Sequence, residues 1–480
     1  MTILDSCMGT HVLVFPYPAQ GHLIPTLDLT HQLATSGLTI TILVTPKNLP
    51  LLNPILSKHP SIQTLILPFP SHNLIPPGAE NAKDLPPNYT PIIAQALCQL
   101  YEPLLDWFKS HPSPPRIIIS DILLGWTQTL ACQLNIRNIV FSPSGAMALS
   151  VIYTLWTNLP KKDINDQVLL SSIPNCPTIR WENISSMYRN YIKKDDSLSK
   201  VWMDLFLGDM ASWGLIFNSF SEMERVYLDH LKRQLGHDRV WAVGPLLPCN
   251  DKDTGACRPA ERGGASSVSV EGVTTWLDKC KDHSVVYICF GSQAVLRNSQ
   301  IAEIASGLEK SGVHFIWCVK EPTAAQGSGG SYGRIPSGFE NRVAGRGLVI
   351  RGWVPQVVTL GHRAIGAFLT HCGWNSVLEG VVAGVPMLAW PMTADQFSDA
   401  FLLVNVLNVG ITVCEGADTV PNSAELAKVF VKSVSENLVE RTRAKQLSKA
   451  ALDAIKDEGS SAKDFDCLVH HLVQTKLQTS

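Results

Sequence analysis

A histidine and an aspartate 99 positions apart, His22 and Asp121, are the residues of this chain best suited to move a proton. His22 closes the stretch Pro16-Tyr17-Pro18-Ala19-Gln20-Gly21-His22, which follows the apolar run His11–Phe15. Asp121 follows Ser120 after the run Arg116–Ile119. A carboxylate beside an imidazole fixes its tautomer and stabilises the cation formed when it accepts a proton. His22 also opens a predicted helix, whose positive end disfavours the protonated ring. A neutral imidazole with a supporting carboxylate suits a general base, although a capping histidine and an unrelated loop aspartate fit the spacing equally well. A second set gathers near Gly291-Ser292 and Thr370-His371-Cys372-Gly373-Trp374-Asn375-Ser376, with Val377–Ala383 expected to be helical. A Gly-rich turn at a helix N-terminus offers N–H groups and hydroxyls to an anion, which describes a phosphate site. Plain helix capping by Asn375 or Ser376 is the alternative.

These residues converge only if the right elements carry them. Runs at His11–Phe15, Thr39–Val44, Thr64–Leu67, Arg116–Ile119 and Ile139–Phe141 read as buried strands, alternating with helices at Leu23–Ser36, Thr90–Lys109 and Thr127–Leu134. A second alternation runs through Val285–Phe290, Ile301–Lys310, His314–Val319, Leu348–Arg351, Ala367–Leu369 and Pro386–Trp390. Continuous apolar strands alternating with helices predict parallel sheets covered on both faces. The fold class is therefore α/β, two Rossmann-like doubly wound domains with a ligand crevice expected between them. With the strand order 3-2-1-4-5, strands one and four meet at the switch point, where ligands bind beyond the carboxyl ends. His22 and Asp121 follow strands one and four of the first half, and Ser292 and His371 follow those of the second. The expected division is 1–248, a polar Gly-rich linker at 249–272, 273–458, and a C-terminal segment at 459–480. Ala324–Gly333 reads as a mobile insertion.

Composition narrows the class. The 480 residues are 45% apolar and 17% charged, which suits large cores and excludes a disordered chain. Lys plus Arg is 39 against 41 for Asp plus Glu, so nothing favours a nucleic-acid partner. The twelve cysteines contain no C-x-x-C pair and read as reduced thiols. The start lacks a signal-peptide pattern and no window is continuously apolar over a membrane span, so a cytoplasmic protein is expected; the expectation for its assembly is a monomer.

From Trp353 to Gln396 the chain resembles, over all 44 positions, the donor-binding box of plant family 1 UDP-sugar glycosyltransferases. The landmarks are Trp353-Val354-Pro355-Gln356, His371-Cys372-Gly373-Trp374-Asn375-Ser376, Glu379-Gly380, Gly384-Val385-Pro386, Trp390-Pro391 and Asp395-Gln396. Pro18-Ala19-Gln20-Gly21-His22, Ser120-Asp121, Val243-Gly244-Pro245 and Phe290-Gly291-Ser292 match as well. The resemblance implies a GT-B architecture, with residues 459–479 returning to the first domain. It implies that Trp353 stacks on uracil, that the Val354 backbone meets the base edge, and that Gln356 and Glu379 take ribose hydroxyls. Ser292, His371, Asn375 and Ser376 would hold the diphosphate, Gly373 belongs to the same donor site, and the Trp374 backbone, Asp395 and Gln396 would hold the sugar. The terminal Gln396 implies glucose, with xylose or rhamnose as alternatives. Ser142-Pro143-Ser144-Gly145 departs from the family's Thr-containing pattern, which leaves the sugar contact there open.

The activity implied is inverting transfer from a UDP-sugar to a hydroxyl of a small phenolic (a flavonoid or hydroxybenzoate), with His22 as base and Asp121 as its support. Trp126, Met147, Tyr153 and Met187, with Trp156 and Tyr188, are candidates for the acceptor wall. Donors at the helix N-terminus can serve the diphosphate, so neither metal nor cofactor is expected beyond the co-substrate. A dinucleotide oxidoreductase is disfavoured because the first turn lacks G-x-G-x-x-G. A non-catalytic sugar-nucleotide binder would gain nothing from a poised base.

Overall fold

The computed structural model describes residues 10–175, 178–193, 197–246, 266–320 and 331–474. The chain divides into two units, one formed by residues 1–247 with 453–480, the other by 248–452.

In the first unit, seven parallel strands are ordered β3-β2-β1-β4-β5-β8-β9. They are β1 (His11–Phe15), β2 (Thr39–Val44), β3 (Gln63–Ile66), β4 (Ile117–Asp121), β5 (Arg137–Ser142), β8 (Gly214–Phe217) and β9 (Val240–Ala242). β6 (Gln167–Leu169) and β7 (Thr178–Arg180) form a separate antiparallel pair. The central strands are buried on both faces because they carry Val, Ile, Leu and Phe at successive positions, and Val12, Val14, Ile117, Ile119 and Ile139 join one apolar core. The helix Ser460–Val473 adds Leu468 and Leu472 to that core. Asp464 accepts the Ala242 N–H at 2.8 Å, and Arg137 donates to the His471 carbonyl at 2.9 Å.

The second unit repeats the plan with six parallel strands in the order β12-β11-β10-β13-β14-β15. These are β10 (Val285–Cys289), β11 (His314–Val319), β12 (Gly347–Arg351), β13 (Ile365–Thr370), β14 (Met387–Ala389) and β15 (Gly410–Thr412). Val286, Ile288, Phe315, Trp317, Ala367 and Leu369 form its core. Trp390 belongs there too, fully buried and set edge-on to Phe290. The two sheets are the Rossmann-like halves of the GT-B class.

One local expectation differs from what is observed, and two fall largely outside the described residues. The single helix expected at Thr90–Lys109 is two, Thr90–Leu97 and Tyr101–Ser110, joined by a tight turn at Cys98–Leu100. Pro103 has no N–H to return to the carbonyl four residues back, so an uninterrupted helix loses a bond there. Most of the expected linker 249–272 lies outside the described residues, but its end is ordered structure. Ser269 caps a helix at Val270–Leu277 by accepting the Gly272 N–H, and Ser267 pairs with the Trp353 backbone. Of the insertion Ala324–Gly333, residues 324–330 lie outside the described residues. Ser331 and Gly333 bond back to Asn298 and Leu296. Among the described residues, no helix is long and apolar enough to cross a membrane.

Candidate active site

Parallel pairing of β1 with β4 sets Phe15 opposite Ser120, so Asp121 stands level with the point where the chain leaves β1. The chain then turns through Pro16–Ala19 into the helix Gln20–Thr35, with His22 in its first turn. His22 Nδ1 meets Asp121 Oδ2 at 2.8 Å; the Asp121 side chain is fully buried and that of His22 is 24% exposed. The other carboxylate oxygen, Oδ1, accepts the Leu123 N–H at 2.9 Å. The aspartate is thus held from both sides, by the imidazole and by the Leu123 backbone. A carboxylate accepting from Nδ1 selects the tautomer whose lone pair is on Nε2. The Tyr17 ring lies 5.2 Å from the His22 ring, and its hydroxyl is tied to the Thr90 carbonyl.

The four acceptor-wall candidates separate. Trp126 and Met187 are partly exposed, whereas Met147 and Tyr153 have no exposed area. Both lie in the helix Ala146–Asn158, and ordinary core packing accounts for them. Trp156 and Tyr188 are also interior, edge-on to one another. The helix is fixed by a residue with no motif to reveal it. The buried Glu224 accepts the Ala146 and Met147 N–H groups at 3.0 and 2.8 Å and the Ser219 hydroxyl at 2.6 Å. In the turn after β5, the Ser142 hydroxyl bonds to the Ser144 carbonyl at 2.9 Å, so it closes its own turn.

In the second unit, β10 and β13 pair Cys289 with Thr370, which brings His371 level with the Phe290-Gly291 exit. The imidazole packs against two glycines. A Cβ on Gly291 would stand 2.7 Å from His371 Nε2, and one on Gly373 2.5 Å from it. Gly291 also has φ +74°, a left-handed conformation that penalises any side chain. The residue retains some exposed surface, but Nδ1 is shut off from solvent and has no partner among the described residues. Burial lowers its pKa to about 4, so the ring is neutral near pH 7. The helix Trp374–Ala383 begins behind it with Gly373 at the N-cap and no side-chain cap. Asn375 and Ser376 lie inside the first turn, so neither is spent as the capping residue.

Gln356 links several donor-box residues. Its amide donates to Glu379 at 2.7 Å and to Ser376 at 3.1 Å, while its carbonyl accepts from the Tyr287 hydroxyl at 2.9 Å. The Trp353 backbone is clamped at both ends, its N–H donating to Ser267 Oγ at 3.0 Å and its carbonyl accepting the Ser267 N–H at 2.8 Å. Trp353 is half-buried and Val354 buried. Asp395 precedes the helix Gln396–Phe401, and Gln396 Oε1 accepts the Met392 and Thr393 N–H groups at 3.0 and 3.1 Å. Ser292 is half-buried, and its carbonyl accepts from Lys320. Tyr287, Ser267 and Lys320 were missed by sequence reasoning. Their roles come from strand adjacency and loop return, which leave no local pattern.

Comparison with known proteins shows the family of the chain. Residues 9–248 match the model of the glycosyltransferase N-terminal domain, and residues 243–439 match that of the UDP-glucuronosyl and UDP-glucosyl transferases. The chain is 55% identical to flavonol 3-O-glucosyltransferase UGT89B1 of Arabidopsis thaliana, over 98% of this chain and 97% of that one. It is equally identical to UDP-glycosyltransferase 89B2 of Stevia rebaudiana, over 98% and 100%. The crystal structure of Arabidopsis thaliana UGT89C1 complexed with UDP-L-rhamnose is similar, with a TM-score of 0.80 and 39% identity over 96% of this chain and 99% of that one. The chain belongs to the plant family 1 UDP-glycosyltransferases, and it is an enzyme of that kind.

Proposed function

We propose that this enzyme transfers glucose from UDP-glucose to a hydroxyl of a small phenolic acceptor of the flavonol kind, with inversion at the anomeric carbon. The observation that carries the mechanism is the 2.8 Å pairing of His22 Nδ1 with Asp121. His22 Nε2 takes the proton from the acceptor hydroxyl, and Asp121 stabilises the imidazolium that results. The acceptor oxygen attacks the anomeric carbon opposite the UDP oxygen, forming the new C–O bond as the old one breaks. Ser292, His371, Asn375 and Ser376, with the N-terminus of the helix Trp374–Ala383, stabilise the charge that grows on the departing diphosphate. Gln356 and Glu379 receive the ribose, Trp353 the uracil ring and Val354 its edge, and Trp374, Asp395 and Gln396 the sugar. Trp126 and Met187 line the acceptor side. No metal takes part in this scheme, so a chelator should leave the rate unchanged.

The 55% identity to a flavonol 3-O-glucosyltransferase supports glucose and a flavonol. Rhamnose is the second reading, supported by the likeness to UGT89C1 complexed with UDP-L-rhamnose. A transfer assay read by product mass separates them, offering UDP-glucose, UDP-xylose and UDP-rhamnose against flavonoids, hydroxybenzoic acids and terpenoid alcohols. A gain of one hexose on a phenolic is expected. A gain only with a pentose or deoxyhexose would keep the mechanism and overturn the choice of sugar.

A further inference from the structure

Ser376 and Glu379 lie one turn apart on the helix Trp374–Ala383, and one carboxamide reaches both. Gln356 Nε2 stands 2.7 Å from Glu379 and 3.1 Å from Ser376. A carboxamide can present either end, and the two ends have opposite hydrogen-bonding character. A carboxylate only accepts, so the bond to Glu379 forms only when the NH2 end faces it. The Oε1 end then needs a donor on its other side.

That donor is Tyr287, in the middle of β10. Its neighbours Val286 and Ile288 belong to the apolar core of the second unit, so alternation along the strand sends Tyr287 to the opposite face. There its ring stacks on Phe368, its register partner on β13, with centroids 5.0 Å apart. Its hydroxyl donates to Gln356 Oε1 at 2.9 Å. Burial raises the phenol well above its ordinary pKa, so it keeps the proton that it donates. The Cys318 thiol on β11 donates to the same hydroxyl oxygen at 3.7 Å. The hydrogens therefore run one way, from Cys318 to Tyr287 to Gln356, and on to Glu379 and Ser376.

We propose that Tyr287 is a positioning residue for the ribose end of the donor site, its hydroxyl locking the Gln356 carboxamide so that Glu379 is presented as an acceptor to the ribose hydroxyls. Without that hydroxyl the amide can turn its oxygen toward the carboxylate, where two acceptors repel, and Glu379 loses its hold. The inference rests on the reading that Gln356 and Glu379 receive the ribose.

Calorimetric titration of the full chain with UDP and with its 2′,3′-dideoxy analogue tests it. The analogue keeps the base and the diphosphate and lacks both ribose hydroxyls. The wild type should prefer UDP by about tenfold or more, the scale of hydrogen bonds to a charged group. Tyr287→Phe keeps the ring on Phe368 and removes only the hydroxyl. It should weaken UDP binding about fivefold, the scale of one neutral hydrogen bond, and change the affinity of the analogue by less than about twofold. Glu379→Ala, measured in parallel, separates the tyrosine from the site. If Glu379→Ala erases the preference for UDP while Tyr287→Phe keeps it in full, the tyrosine assignment fails and the ribose reading stands. If the wild type does not distinguish the two ligands, or the preference survives Glu379→Ala, the ribose reading fails as well. An equal loss for UDP and the analogue in Tyr287→Phe would reduce Tyr287 to a packing residue and overturn the proposal.

Discussion

The two sheets solve the same geometric problem with different chemistry. In each, the strand that starts the unit pairs with the fourth strand, and the two chain exits face each other across that pairing. The first unit uses the meeting point to join two titratable side chains, a partly exposed histidine and a buried aspartate 2.8 Å apart. The second packs a neutral imidazole between glycines at the start of a helix and relies on backbone and amide donors. The first arrangement can exchange a proton, whereas the second can hold an anion without a titrating group near pH 7. Topology thus gives the address of each site, and residue type decides what it does.

Substitutions in each unit can break this division. Short of removing the base itself, the largest loss of turnover is expected for Asp121→Asn, which keeps the shape but loses the charge supporting the imidazolium. Its turnover should fall about a hundredfold or more, within the range for general-base catalysis, while steady-state kinetics show little change in KM for the donor. Gln396→His should reduce glucose transfer about tenfold, the scale of one sugar hydrogen bond, and weaken UDP binding much less. Unchanged glucose kinetics would remove Gln396 from the sugar contact.

A third prediction concerns stability, not turnover, through His371 and pH. Its folded pKa of about 4 lies below the unfolded value of 6.5, so between those values the unfolded chain binds a proton that the folded chain refuses. Folding stability is therefore undiminished by this group above pH 6.5 and is lost progressively as pH falls toward 4, by up to about 3 kcal/mol. Denaturant unfolding of His371→Gln at pH 7 and 4.5 should show a smaller acid loss than the wild type. An equal loss would mean the ring is not buried in its neutral form.

Much of this was legible in the sequence because local chemistry decided it. The runs His11–Phe15, Thr39–Val44 and His314–Val319 coincide with strands, since unbroken β-branched and apolar residues fit a sheet covered on both faces. The His22–Asp121 contact followed from strand order. Other features depend on distant partners. Ser267 reads as a linker residue until the Trp353 backbone is beside it, and nothing local marks Glu224 as the acceptor for the N–H groups that open the helix Ala146–Asn158. Met147 and Tyr153 show why an apolar helix near a site cannot be divided into wall and core by composition. Which face turns inward depends on helices contributed much later in the chain.

The most direct test is made on His22→Ala, measuring transfer and UDP affinity on the same preparation. Turnover should fall about a thousandfold, near the middle of the general-base range, while the calorimetric Kd for UDP stays within about twofold of the wild type, less than 0.5 kcal/mol. A variant that keeps most of its rate, or loses UDP affinity in step with it, would contradict the assignment of proton transfer to the first unit and anion binding to the second.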